Sequence, residues 1–309
     1  VIRLGGRHLD QAGYDLLALV IGSEGMLGVV TEVTVRILRV AESARALLIA
    51  FSSSESAGAC VAGIIAAGII PGGMEMMDKP AIEAAEDFVH AGYPREAEAL
   101  LIVELDGPPV EVDHLVSLVE KIALAHGASN CRISTSEAER HTFWAGRKAA
   151  FPAVGRLSPD YYCMDGTIPR KELPAVLAGM RELSERHGLR VANVFHAGDG
   201  NLHPLILYDA NKPGELTRAE EFGADILRLC VKHGGVLTGE HGVGVEKRDL
   251  MPEMFSETDL AQQIRVKCAF DSKQLLNPGK VFPTLHRCAE FGQMHVHGGT
   301  LPFPDIPRF

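Results

Sequence analysis

The stretch "NVFHAGDGNLHPLIL", residues 193–207, sets two apolar runs on either side of a Gly-Asp-Gly-Asn turn, and so predicts a β-hairpin rather than a helical crossover. A hairpin makes its two strands antiparallel, and strand and helix patterns alternate outward from it in both directions. "ARALLIAF" (44–51), "ALLIVELDG" (99–107), "SNCRIS" (129–134) and "YYCMDGTIP" (161–169) are apolar runs of strand length. "VVTEVTVRIL" (29–38) shows period two and predicts a further strand. Between them lie helical patterns: "SESAGACVAGIIAAG" (54–68), "EVDHLVSLVEKIALAHG" (111–127), about 136–151, "RKELPAVLAGMRELSERHG" (170–188), "RAEEFGADILRLCVKHGG" (218–235) and "ETDLAQQIRVKCAFD" (257–271). Gly127 suits a helix C-terminus, and Ser136 with Glu139 suits a capping box. The pattern predicts an α+β fold, a largely antiparallel sheet covered by helices on one face.

The bulk composition narrows the function. The chain has 309 residues, enough for two modest domains, with 46% hydrophobic and 23% charged residues. A formal charge of -10 argues against a nucleic-acid groove, which needs a basic stripe. No run approaches the roughly 20 apolar residues of a membrane span; "ACVAGIIAAGII" (59–70) is the most apolar stretch. Cys60, Cys131, Cys163, Cys230, Cys268 and Cys288 form no C-x-x-C pair. That usage predicts reduced cytoplasmic thiols and argues against an iron–sulfur cluster held by this chain. Val1 opens in what reads as mid-strand, so an N-terminal part of a larger protein is expected to be missing.

Two constellations carry chemistry. His196 and His203 stand close to opposite each other across the predicted hairpin and can face the same side, a natural pair of imidazole ligands for a borderline divalent metal. Two half-exposed histidines bonded to each other or to water would leave the same trace. "GGVLTGEHGVGVEK" (234–247) places Glu240 and His241 among five glycines, where unusual backbone angles permit close approach to a ligand. Glu240 would complete a set with open coordination positions, leaving His241 free as acid or base. A Gly-rich loop whose charged pair faces solvent is the plainer reading. Arg147, on a helix with Phe143, Trp144 and Phe151, could clamp a substrate carboxylate, although a surface ion pair with Glu139 or another acid is the commoner use.

Among glycine patterns, "GSEGMLG" (22–28) is not G-x-G-x-x-G, and "GDGNLH" leads into a strand, so a nicotinamide Rossmann site is poorly supported. The 22–28 loop can still lay its amides against a phosphate or a flavin edge.

Taken together, "IGSEGMLGVVTEVTVRIL" (21–38), the hairpin, "GGVLTGEHGVGVEK" and "LLNPGKVFP" (275–283) resemble the FAD-linked 2-hydroxy-acid oxidases and dehydrogenases of the vanillyl-alcohol-oxidase fold. The closing stretch 282–309 is similar to that of the flavin-binding D subunits of bacterial glycolate oxidases. The resemblance implies the end of a PCMH-type FAD-binding domain over 1–43, an FAD-linked oxidase C-terminal (cap) domain over 44–284 and a His/Pro-rich tail over 285–309. It implies FAD bound through Gly22, Ser23, Glu24, Gly25, Leu27, Gly28 and Asn277, and a divalent metal, zinc or similar, on His196, His203 and Glu240. His241 is then the base and Arg147 the carboxylate clamp.

Oxidation of a small 2-hydroxy acid, glycolate or D-lactate, follows, with hydride passing to flavin N5. Phe151 and Cys163 stand about where dicarboxylate-specific relatives carry a threonine and a lysine, which disfavours a second carboxylate. The implied partners are other glycolate oxidase subunits, a second flavin-type subunit and an iron–sulfur subunit, or else a quinone, with peripheral association at the inner face of the plasma membrane. A scaffold subunit, inactive without the missing flavin subdomain, is the competing reading. Expressed alone, the chain is expected to fold its cap domain without stoichiometric FAD.

Overall fold

The computed structural model describes residues 1–6 and 13–283; the 285–309 tail and Cys288 lie outside the described residues. The chain divides into two compact units, one of Val1–Arg36 with Gly242–Phe309 and one of Ile37–His241.

The second unit is built on a seven-stranded sheet in which all the pairings are antiparallel. Its strands are β1 (Ser43–Phe51), β2 (Gly73–Asp78), β3 (Ala99–Gly107), β4 (Ala128–Ile133), β5 (Asp160–Cys163), β7 (Val191–Phe195) and β9 (Pro204–Tyr208), in the order β4-β1-β3-β2-β7-β9-β5. Two short strands, β6 (Gly166–Thr167) and β8 (Asn201–Leu202), pair beside it. β1 and β3 run in register from Ser43↔Gly107 to Phe51↔Ala99.

Successive side chains of β1 point to opposite faces. Leu47, Ile49 and Phe51 join one core cluster, and Ala46, Leu48 and Ala50 join another. Helices α2 (Ser54–Ala66), α4 (Pro109–Ala125), α6 (Leu173–His187) and α7 (Glu215–Lys232) supply the first cluster. Helices α3 (Lys79–Val89) and α5 (Glu137–Val154) supply the second. The helices therefore cover both faces, which corrects the expectation of one. The physical sign was already in "ALLIAF", an unbroken apolar run of the kind a doubly covered strand requires.

The expected strand over 29–38 is absent: these residues carry no regular structure, and Val30, Val33, Val35 and Ile37 are exposed. A strand exists only by hydrogen bonding to a neighbour, and no described segment pairs with this one. "YYCMDGTIP" is interrupted at Met164–Asp165 into β5 and β6. At α5 half of the capping box forms. The Ser136 hydroxyl accepts from the Glu139 amide at 3.2 Å, while the Glu139 carboxylate turns to the amide and hydroxyl of Thr135.

The first unit holds the short α1 (Leu16–Val20) and α8 (Glu257–Phe270), the latter closed by a full capping box of Ser256 and Asp259. No described helix is long and apolar enough to cross a membrane. Cys60 and Cys131 are free thiols, whereas Cys268 is disulfide-bonded, which departs from the expectation of uniformly reduced cysteines.

One buried acid gives the unit a pH dependence. Asp78 caps α3 and accepts from Asn193 Nδ2 at 2.8 Å. Burial pushes its carboxyl up from 3.8 to about 7, against the lowering effect of those hydrogen bonds. Because the folded value lies above the unfolded one, this group's contribution to stability is complete below pH 4 and lost as pH rises through 7. Asp78→Asn keeps the cap and removes the charge. Urea titrations are expected to show the variant gaining on the parent between pH 5 and pH 8, by ~1–3 kcal/mol. A constant difference between the two across that range would contradict the assignment.

Candidate functional site

β7 and β9 pair as Val191↔Ile206, Ala192↔Leu205 and Asn193↔Pro204, and His196 bridges Asn201. His196 and His203 are thus not directly opposite but diagonal neighbours. An offset of two keeps the parity of the pleat, so both rings lie on the same face, edge to face with centroids 5.1 Å apart. The turn between them closes at Gly200, where φ is +72° and a Cβ would stand 2.2 Å from the Ile168 carbonyl oxygen. Only glycine serves there.

His203 is 3% exposed, and neither of its ring nitrogens has a hydrogen-bond partner among the described residues. Burial, and then the neighbouring His196, lower its value to about 4, so the ring is neutral near pH 7. An unbonded buried imidazole is costly, and a neutral one is a ready ligand.

The Gly-rich loop brings the carboxylate. Glu240 Oε1 lies 3.2 Å from His203 Nε2 and 3.6 Å from His196 Nε2. One ligand atom from each of His196, His203 and Glu240 lies within 4.8 Å of the others, and the same holds for Asp165, His203 and His241. The His241 ring is 5.1 Å from that of His203 and about half exposed.

The loop is held from below by Asp165, which is fully buried. Its Oδ2 accepts from the amides of Gly239, Glu240 and His241 at 2.8, 2.7 and 3.0 Å. A Cβ at Gly239 would meet Asn201 Oδ1 at 2.0 Å, so the loop packs directly onto the hairpin turn. The residue types expected to act together in the sequence do converge. Asp165, which aims Glu240 and His241, was not foreseen.

Arg147 does pair with an acid, but the pair is buried and the acid is Glu75; Glu139 bonds Arg132 and Thr135 instead. Arg147 Nε and Nη2 reach Glu75 Oε2 at 3.0 and 2.9 Å, while Glu75 Oε1 lies 2.7 Å from His196 Nδ1. Glu75 sits on β2, a strand the apolar patterning did not single out. An acid set between methionines in "GMEMMD" was the available signal. Phe151, one turn beyond Arg147, packs edge-on against His203 with centroids 6.0 Å apart.

In the first unit, the loop of Gly22, Ser23, Glu24, Gly25, Leu27 and Gly28 is tied to Asn277, whose Nδ2 donates to the Glu24 carbonyl oxygen. Glu24 and Asn277 both adopt positive φ, 51° and 43°. The Glu24 carboxylate accepts from the amides of Val243 and Gly244 at 2.8 and 2.9 Å, and Lys267 Nζ donates to the Met26 carbonyl oxygen at 2.9 Å. The Glu24 side chain therefore braces the loop. Gly22 and Gly28 have open space where a Cβ would stand, which leaves the backbone accessible to a flat ligand.

Comparison with known proteins gives this geometry a context. The family model "FAD linked oxidases, C-terminal domain" matches residues 40–281. The chain is 61% identical over 308 residues to "Glycolate oxidase subunit GlcD" of Escherichia coli (strain K12), covering 100% of this chain and 62% of that protein. It is 31% identical to "Probable D-lactate dehydrogenase, mitochondrial" of Danio rerio, covering 87% of this chain and 54% of that one. The chain thus spans about 62% of the length of the first of these relatives. Among solved structures, a 4-ethylphenol oxidase from Gulosibacter chungangensis in complex with isoeugenol aligns with a TM-score of 0.60 at 14% identity, over 79% of this chain and 55% of that one. At that identity the likeness concerns the fold alone.

Proposed function

Because the chain belongs to the FAD-linked oxidases through their C-terminal domain, we propose that it serves the oxidation of a small 2-hydroxy acid, glycolate or D-lactate, to the 2-oxo acid. The observation that carries this reading is the convergence of His196 and Glu240 on His203, a buried imidazole with no hydrogen-bond partner among the described residues. Two imidazoles and a carboxylate suit zinc or a similar divalent ion, which when bound would lower the pKa of a substrate hydroxyl. FAD, held by the Gly22–Gly28 loop and Asn277, would supply the two-electron acceptor.

The chain's own residues then divide the remaining work. The Arg147 guanidinium, two of whose nitrogens lie on Glu75, keeps Nη1 for the substrate carboxylate. His241, half exposed at the edge of the cluster, takes the hydroxyl proton. Phe151, against His203, and Cys163 offer no cation to a second carboxylate, which selects for monocarboxylates. Electrons would pass to other subunits of a glycolate-oxidase-type complex, an iron–sulfur subunit among them, or to a quinone, at the inner face of the plasma membrane.

Anaerobic addition of glycolate, D-lactate and D-2-hydroxyglutarate to the full-length, flavin-loaded protein tests the reading. The two small acids are expected to bleach the flavin absorbance and the dicarboxylate is not. Bleaching by D-2-hydroxyglutarate alone, or by none of the three, would contradict it.

A further inference from the structure

We infer that Glu75 is a positioning residue. Its single carboxylate fixes the tautomer and ring orientation of His196 while holding Arg147 in place. The inference rests on the metal reading above and deepens it.

Glu75 lies on β2 in the interior of the sheet, next to β7. The pairing Met76↔Phe195, carried one step further, brings Glu75 opposite His196. At 9% exposure it is among the few buried acids of the second unit. A carboxylate placed between strands is stable only where its oxygens are satisfied. Both are: Oε2 takes the Nε and Nη2 edge of Arg147 at 3.0 and 2.9 Å, and Oε1 takes His196 Nδ1 at 2.7 Å.

If Glu75 served only to neutralise a buried arginine, it would not also need the histidine. The third contact has a definite consequence. A carboxylate accepts, so Nδ1 carries the proton and the Nε2 lone pair is exposed. That Nε2 points towards Glu240, 3.6 Å away. A carboxylate behind a ligating histidine raises the basicity of the ring and removes its rotational freedom before the ion arrives. Since the same carboxylate carries Arg147, the cation that would hold the substrate carboxylate and the imidazole that would hold the metal are placed by one group. Their spacing is set by the width of one carboxylate rather than by two independent side chains.

The test measures zinc affinity of the full chain by competition with a chromophoric chelator, together with the ring ¹⁵N shifts of His196. Glu75→Gln offers one acceptor where two are needed. It is expected to weaken zinc binding by roughly 10- to 100-fold, and to move the His196 shifts from the Nδ1–H form towards a mixture of tautomers. Glu75→Gln leaves Arg147 without a counter-charge and could fold poorly, so the pair Glu75→Leu with Arg147→Met provides the second arm. That pair removes both buried charges and carries the same expected loss of zinc affinity.

Unchanged zinc affinity and unchanged His196 shifts in either folded variant would overturn the positioning role, while His203-dependent zinc binding by the parent would still stand. Failure of the parent to bind zinc in a His203-dependent way would instead strike at the metal reading itself.

Discussion

Replacing His241 by alanine in the full-length, flavin-loaded protein is expected to lower turnover by about 10²- to 10⁴-fold, the range a general base contributes. The fold and the zinc content should not change. The reason lies in how the loop is built. The main chain of His241 is held by the hydrogen bond its backbone N–H donates to Asp165 Oδ2, at 3.0 Å, and this does not involve the ring. The ring itself is about half exposed, with Glu240 Oε1 3.7 Å from Nε2. Truncation therefore removes a proton acceptor and little packing. A base acts in the transition state, so kcat and kcat/KM should fall together, with KM nearly constant. A variant that raises KM at unchanged kcat would place His241 in substrate binding instead.

His203→Ala is expected to abolish stoichiometric zinc, and with it the Lewis-acid contribution, about 4 kcal/mol or roughly a thousandfold in rate. The same substitution should have an unusual effect on stability. Most buried aromatic rings stabilise a core, and their removal costs several kcal/mol. His203 is buried with both ring nitrogens unbonded among the described residues, a burden of ~1–3 kcal/mol that the variant sheds. The metal-free variant should therefore melt close to the metal-free parent, while added zinc raises the melting temperature of the parent alone. Metal analysis and thermal melts with and without a chelator read both effects. A variant that keeps one zinc per chain, or one that unfolds at much lower temperature without metal, would contradict the assignment.

How much of this was legible in the sequence depends on the separation of the residues concerned. The hairpin and the Gly-rich loop are local: their turn residues, parity and glycines are all found within some fifteen positions, and His196, His203 and Glu240 lie together in the fold. Glu75 and Asp165 are different. Glu75 meets Arg147 72 positions away and His196 121 away, and Asp165 meets Glu240 75 away, distances over which periodicity carries no information. Only a charged residue set in an apolar run hinted at either.

β2 and α3 escaped notice because the strand passes into the helix with no intervening loop, Asp78 ending one and capping the other. The strand expected over 29–38 shows the opposite failure. Its alternation was strong, but alternation records a preference, and the hydrogen bonds must come from a neighbour. Arg147 lies between these cases: its burial was readable from Phe143 and Phe151, and its partner was not.

The central claim is that His196, His203 and Glu240 share one divalent ion, and anomalous diffraction at the zinc edge from crystals of the zinc-loaded protein tests it most directly. One strong peak is expected, with imidazole nitrogens of His196 and His203 and an oxygen of Glu240 at roughly 2.0–2.2 Å, the bonding range for zinc. A strong peak placed elsewhere, or zinc-loaded crystals with no peak between these three side chains, would contradict it.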